Sequence, residues 1–198
     1  MIKLDSVAIG YNGLAIKDNI SYNFTAGKIY GIMGESGAGK STLLKTIAGL
    51  IKPVHGKIER KVSTKDIYMM HQAYTSFDWL TCLDNVLIAE RVRHSRINAE
   101  TIDRAKRALE EVGLMEHQNH YPTQLSGGQK QRLALARTMF TEPPVILMDE
   151  PLSALDGETR RRMQNLIFSR HLETGNTIIM ITHSAEEAKR MCEEVIYF

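Results

Sequence analysis

Hydrophobic and polar positions alternate in short strand-like stretches over the first third of the chain and settle into helical spacing further on. Ile2 to Ile9 reads as a strand, Gly10 to Gly13 as a turn, and Ile20 to Phe24 as a second strand. Lys28 to Met33 is short and apolar enough for a buried strand, which Gly34 ends. From Lys40 to Leu50 the apolar residues Leu43, Leu44, Ile47, Ala48 and Leu50 recur at helical spacing, and Gly49 and Pro53 mark the end. Ile67 to His71 adds another strand. Ala99 to Val112 is charged and helical in period, and Gln129 to Phe140 carries Leu133, Leu135, Ala136 and Met139 among basic residues, which predicts a helical subdomain. Val145 to Met148 is the continuous apolar run expected of a parallel strand covered on both faces. A helix from about Gly157 to Glu173, a buried strand from Thr177 to Thr182 and a helix from Ala185 to Cys192 complete the pattern. Such alternation predicts an α/β sheet whose ligands sit at the carboxyl ends of its strands.

Composition narrows the function classes. The 198 residues show no repeat, low-complexity run or linker, so one continuous globular unit is expected. With 25 Lys and Arg against 23 Asp and Glu, the surplus of +2 gives no general attraction to polyanions. No stretch approaches the roughly 18 to 20 apolar residues that span a bilayer, so the chain cannot form a membrane pore by itself. Cys82 and Cys192 lie far apart without CxxC spacing, and no secretory signal opens the chain, which points to a reduced, cytoplasmic compartment.

The chemistry concentrates in a few places. Gly34-Glu35-Ser36-Gly37-Ala38-Gly39-Lys40-Ser41 fits G-x-x-x-x-G-K-S/T between a predicted strand and a predicted helix. Glycines let successive backbone N–H groups converge on phosphate oxygens, the helix start adds its positive dipole end, Lys40 supplies a point charge for β- and γ-phosphates, and Ser41 can ligate Mg²⁺. The strand Val145 to Met148 runs into Asp149 and Glu150. As strand neighbours they should face opposite ways, Asp149 holding Mg²⁺ and Glu150 polarising the water that attacks the γ-phosphate; read alone, the pair is also an ordinary solvated loop start. Leu125-Ser126-Gly127-Gly128-Gln129 offers a second anion-binding helix start, with a plain N-cap accounting for Ser126 but not for the Gly-Gly-Gln that follows. His183 follows a strand on the side of the sheet where the phosphate loop emerges, either as a structural histidine or as a donor to the γ-phosphate.

Over essentially its whole length the sequence resembles the ATP-hydrolysing domain of ATP-binding cassette proteins. The shared motifs are the phosphate loop Gly34 to Thr42, Gln72 after the strand Ile67 to His71, the LSGGQ signature Leu125 to Gln129, the strand ending in Asp149-Glu150, Ser153-Ala154-Leu155-Asp156, and His183. The resemblance implies an α/β P-loop NTPase core with a largely parallel sheet, an N-terminal antiparallel β part and a helical subdomain. It places the catalytic core at about 1–75 and 140–198 and the signature subdomain at about 76–139. It also implies ATP and Mg²⁺ as cofactors, with Ser41, Gln72 and Asp149 at the metal, Lys40, Gln72, Glu150 and His183 in catalysis, and Tyr11 stacked on adenine, unless Tyr11 is simply a half-buried strand aromatic. In such proteins two domains pair head to tail. Ser126, Gly127 and Gly128 would then contact the γ-phosphate held by the other copy or by a related subunit, and Asp156 would lie at the seam.

Most proteins of this kind drive transport through a transmembrane permease from the cytoplasmic face of the membrane, often with a solute-binding protein. The stretch Phe77-Asp78-Trp79-Leu80-Thr81-Cys82-Leu83-Asp84-Asn85-Val86 suits permease docking, although Trp79 could equally be core. With Ala154-Leu155-Asp156 followed by Thr159-Arg160 and Met163-Gln164, it is similar to importers of nitrate, sulfonates, taurine and related solutes, with polyamine, metal-ion or other importers close behind. Phe77-Asp78 in place of Leu-Pro, Leu152-Ser153 in place of Phe-Gly, and a short Gly56 to Asp66 region depart from the pattern. The end at Phe198 leads one to expect no regulatory extension. The rival reading is a soluble ATPase acting on nucleic acid or ribosomes. It would lean on Arg160, Arg161 and Arg162, which on a helix form a solvated face instead, and no nucleic acid partner is expected. Intact Lys40, Glu150 and His183 argue against a non-hydrolysing regulatory subunit.

Overall fold

A computed structural model describes residues 1–71, 76–93 and 96–198. These residues gather into two compact units: Met1–Met69, Pro143–Glu150 and His171–Phe198 form the first, Met70–Glu142 and Pro151–Arg170 the second.

The first unit carries two sheets. β1 (Ile2–Tyr11) lies between β2 (Leu14–Phe24) and β4 (His55–Arg60) in an antiparallel sheet. The other sheet has the order β5-β6-β7-β3-β8, with β3 (Ile29–Met33), β5 (Ile67–Met70), β6 (Val145–Asp149), β7 (Thr177–Ile181) and β8 (Glu194–Tyr197). The pairs β6 with β7, β7 with β3 and β3 with β8 are parallel, as the apolar runs predicted. Every residue of β6 and β7 is buried. The core joins Ile2, Leu4, Val7 and Ile9 of β1 with Tyr30 and Ile32 of β3, Val145 and Leu147 of β6, Ile179 and Ile181 of β7, and Leu43, Leu44 and Ile47 of helix α1 (Lys40–Ile47). Each such side chain withdrawn from water contributes about 1.5–3 kcal/mol. Phe24 and Tyr30 meet edge to face at 5.0 Å.

The second unit is built from α2 (Cys82–Arg93), α3 (Ala99–Glu111) and α4 (Gly127–Phe140), which pack against one another, and most of α5 (Gly157–Thr174). Asn98 caps α3 by accepting the Thr101 N–H at 2.8 Å. A last helix, α6 (Ala185–Met191), belongs to the first unit. Among the described residues, no helix is long and apolar enough to cross a membrane. Burial pushes the thiols of Cys82 and Cys192 up to about 11 and about 12, so both stay protonated and unreactive at neutral pH.

Several elements differ from expectation. β2 begins at Leu14 rather than Ile20 and β1 continues to Tyr11, because Asn12 and Gly13 close a two-residue hairpin with positive φ at both positions, 52° and 80°. The first eight residues of β2 are nearly all solvent-facing, which hides a strand from a burial pattern. α1 stops at Ile47, short of Leu50, as the chain turns at Gly49. α4 starts at Gly127, earlier than the apolar spacing suggests, because Ser126 caps it.

β8 is tied by one carboxylate. Glu194 accepts from the Lys28 ammonium at 2.7 Å and from the Tyr22 hydroxyl at 2.7 Å. These two donors, Lys28 foremost, hold the Glu194 carboxyl below its ordinary value. Its contribution to stability is therefore complete above the usual carboxylate range and is lost as pH falls through the depressed value. Glu194→Gln should lower Tm at neutral pH by a few degrees at most, with the gap to wild type closing as pH falls below the usual carboxylate range. A pH-independent gap in a thermal-melt series would contradict this assignment.

Candidate functional site

Register brings the chemistry together. Ile32 of β3 pairs with Ile181 of β7, and Ile181 pairs with Asp149 of β6, so three parallel strands end on one line. The Thr182 N–H donates to the Ile32 carbonyl at 3.2 Å, and the Glu150 N–H to the Ile181 carbonyl at 3.2 Å. The phosphate loop, Asp149-Glu150 and Thr182-His183 thus leave the same edge of the sheet, where the sequence placed them.

Gly34 to Gly39 forms the loop between β3 and α1. A Cβ at Gly34 would lie 2.3 Å from the Phe198 carbonyl oxygen, and Gly39 takes φ 96° as the residue before the helix, so side chains are excluded at both ends of the loop. Among the described residues no side chain caps α1, which leaves its first-turn N–H groups directed toward the loop, as an anion requires. Glu35, Ser36 and Gly37 are exposed, Ala38 and Ser41 half-buried, and Thr42 is buried. Lys40 is only 6% exposed. Its ammonium donates to the carbonyls of Gly34 at 2.9 Å and Glu35 at 2.6 Å, so the charge is held inside the loop.

Asp149 ends β6 as a buried carboxylate, 4% exposed. Glu150 has already left the strand, with φ 52°. A left-handed, non-glycine residue directly before Pro151 costs about 1–3 kcal/mol, strain of the kind found where a side chain must be aimed. The two acids thus differ in burial and backbone, Glu150 having turned out of the strand whose alternation the sequence reading relied on. His183 bonds Glu150 directly, Nε2 to Oε1 at 2.7 Å, a contact across 33 residues of sequence that motif reading did not foresee. The Glu150 carboxylate is therefore oriented by an imidazole. Thr182 supports the same turn: its hydroxyl donates to the Glu187 carboxylate and accepts the Ser184 N–H at 3.1 Å.

Tyr11 ends β1 half-exposed opposite Leu14, and Ile16 is exposed on β2. A Cβ at Gly39 would touch the Ile16 side chain at 3.3 Å, so an apolar surface reaches the phosphate loop. Ile16 escaped the sequence reading; its signal is an apolar residue in a strand with no core to fill.

In the second unit, Leu125 is buried and Ser126 caps α4 by accepting the Gln129 N–H at 3.3 Å. Gln129 Oε1 accepts the Ser126 N–H at 2.8 Å, completing a capping box. Gln129 therefore has a local role, which corrects the expectation that a plain cap leaves it unexplained. Gly128 also has a local reason, since a Cβ there would press on the Ala154 carbonyl at 3.3 Å. Gly127 is not: a Cβ would meet nothing within 4 Å. Gln131 on α4 accepts the Ala154 N–H at 3.0 Å, which fixes the Ser153-Ala154-Leu155 segment.

Asp156 caps α5, its Oδ1 accepting from Thr159 at 3.0 Å and Glu158 at 3.1 Å, and the N–H of Thr159 foremost holds its carboxyl below the ordinary range. Arg160 donates to the Leu155 carbonyl at 2.6 Å and Arg162 to the Glu111 carbonyl at 3.2 Å. Two of the three consecutive arginines thus hold backbone carbonyls of their own fold. Trp79 is 74% exposed and so is not core. Its loop is pinned by buried Asn85, which accepts from the Phe77 N–H at 2.8 Å and donates to the carbonyls of Phe77, Leu80 and Thr81 at 3.1, 3.0 and 2.9 Å. Gln72 lies outside the described residues.

The family model described as "ABC transporter" matches residues 17–153. The chain belongs to the ABC transporter family. Among curated ABC relatives, it is 40% identical over 192 residues to an aliphatic sulfonates import ATP-binding protein, SsuB 2, of Agrobacterium fabrum, covering 94% of this chain and 71% of the relative. It is 39% identical over 189 residues to the sulfate/thiosulfate import ATP-binding protein CysA of Mesorhizobium japonicum, covering 90% of this chain and 55% of that protein. The chain thus spans little more than half the length of the CysA relatives it matches. A solved dimeric cassette, MJ0796 in a post-hydrolysis state bound to ADP and Pi, superposes with TM-score 0.90 at 32% identity, covering 100% of this chain and 94% of that one.

The donor set suits the magnesium of such ATPases. Ser41 and Asp149 offer a hydroxyl and a buried carboxylate, hard oxygens of the type Mg²⁺ prefers alongside water and phosphate. Lys40→Ala should weaken binding of a fluorescent ATP analogue at least about tenfold, the worth of a hydrogen bond to a charged group. Wild-type affinity would count against the loop as the phosphate site.

Proposed function

We propose that the chain is the ATP-hydrolysing subunit of an importer, working at the cytoplasmic face of the membrane on a permease and as a head-to-tail pair with a second copy or a related subunit. Gly127 carries this reading. Its backbone needs no glycine and, among the described residues, its Cβ would meet nothing within 4 Å beyond its own helix, although glycine in the first turn of a helix is less stable than alanine. The space left open there suits the close approach of a group from outside the chain. A γ-phosphate bound in the loop of the other copy fits an uncapped N–H beside the Ser126 hydroxyl.

In the bound state Lys40 supplies a point charge at the β- and γ-phosphates, while Ser41 and Asp149, with Gln72, hold Mg²⁺. That ion supplies charge neutralisation on the phosphates. Glu150 takes a proton from the attacking water, and His183, bonded to its carboxylate, sets which oxygen faces that water. Tyr11 and Ile16 receive the adenine, and Asp156 lies at the seam between copies. The exposed Trp79, on a loop held rigid by Asn85, suits an apolar segment of the permease. The solute is then a small oxyanion-bearing one of the sulfonate, taurine or nitrate type, delivered by a solute-binding protein; the relatives named for import of sulfate/thiosulfate and of aliphatic sulfonates support the sulfur oxyanions among these.

Glu150→Gln should retain ATP binding, lose turnover by more than about 100-fold and sediment as a dimer with ATP; normal turnover would remove Glu150 from the base role. Gly127→Ala should leave Tm unchanged or raise it by up to about 4 °C yet abolish ATP-driven dimerisation. Wild-type dimerisation in that variant would overturn the reading of the signature. Recovery of a polytopic membrane protein with the tagged chain after mild-detergent purification tests the transport role; recovery of ribosomes or nucleic acid alone would refute it.

A further inference from the structure

The capping box that opens α4 is itself held from outside the helix. The Ser126 N–H can only donate, so the Gln129 atom 2.8 Å from it is the amide oxygen. The other end of that side chain is then an NH₂ group, which lies 3.0 Å from Nε2 of His117. An NH₂ group can only donate. Nε2 of His117 must therefore accept, and the ring's single proton sits on Nδ1. Among the described residues that nitrogen is buried without a hydrogen-bond partner, and the His120 ring stands edge to face with His117 at 5.0 Å. Leaving a buried N–H without an acceptor is unfavourable. The arrangement persists because the opposite nitrogen is committed to Gln129.

We infer that His117 is a positioning residue for the signature: in its Nδ1–H form it fixes the Gln129 amide, which in turn holds the Ser126 backbone, and with it the Ser126 hydroxyl, in the pose that receives the partner copy's ATP. The inference rests on the proposed role of Ser126 across the dimer. His117 touches no nucleotide and acts only through Gln129. Its own segment is anchored to the start of α2, where the Leu83 N–H donates to the Gln118 carbonyl at 3.0 Å and the Cys82 N–H to the His120 carbonyl at 2.8 Å, so the ring sits on a fixed base.

Two measurements on the intact chain test it. Long-range ¹H–¹⁵N correlation of the histidine ring should show His117 protonated at Nδ1 and bare at Nε2. ATP-driven dimerisation should weaken about fivefold to tenfold in His117→Phe, as expected for one lost hydrogen bond. His117→Gln, whose amide oxygen can replace Nε2 as acceptor, should return to within about twofold of wild type. Binding of a fluorescent ATP analogue to the phosphate loop should be unchanged in both. Protonation of His117 at Nε2 would overturn the inference, and so would wild-type dimerisation in His117→Phe alongside impaired dimerisation in Ser126→Ala. Wild-type dimerisation in Ser126→Ala would instead bring down the underlying reading of the signature, and this inference with it.

Discussion

The parallel register of β6, β7 and β3 is the constraint on which the nucleotide site depends. Their residues are buried nearly throughout, so side-chain alternation sets the register less firmly than it does in a half-exposed sheet. The strand starts help to pin it, with the Thr177 N–H on the Pro144 carbonyl at 2.9 Å and the Ile178 N–H on the Lys28 carbonyl at 3.0 Å. Once Asp149, Ile181 and Ile32 stand in line, the phosphate loop, the two acids and His183 have no other place to emerge. A slip of one strand would separate Glu150 from His183 without disturbing either motif in the sequence.

The two helix starts that can bind anions are built differently. At α1 the residue before the helix is a left-handed glycine and no side chain takes up the first N–H groups. At α4 the Gln129 N–H is already satisfied by Ser126, so the donors of the first turn that point outward belong to Gly127 and Gly128. The first is a cradle closed by its own lysine. The second is a side-chain-free edge, which the proposed pairing assigns to a ligand carried by another copy.

Much of this was legible in the sequence. Runs such as Val145 to Met148 and Thr177 to Ile181 announce buried parallel strands, and the spacing from Gly34 to Ser41 announces the loop between strand and helix. What escaped reading lacks a local signal. β4, His-Gly-Lys-Ile-Glu-Arg, has one apolar residue and stands only because β1 pairs with it. In α2, Val86, Leu87 and Ile88 are consecutive, which blurs the helical period. The His183 to Glu150 bond and the His117 to Gln129 bond join residues that only the fold brings together. Trp79 shows the converse: hydrophobic neighbours in sequence suggested either core or surface, and the buried amide of Asn85 decides for surface by fixing the loop around it.

The central claim is that each ATP site takes its phosphate loop from one copy and its signature from the other. Mixing Lys40→Ala chains, which keep an intact signature, with Ser126→Ala chains, which keep an intact loop, tests it most directly. The account predicts that neither variant alone hydrolyses ATP appreciably and that the mixture regains activity well above the sum of the two. Activity in the mixture equal to that sum, at concentrations where wild-type chains are fully active, would contradict it.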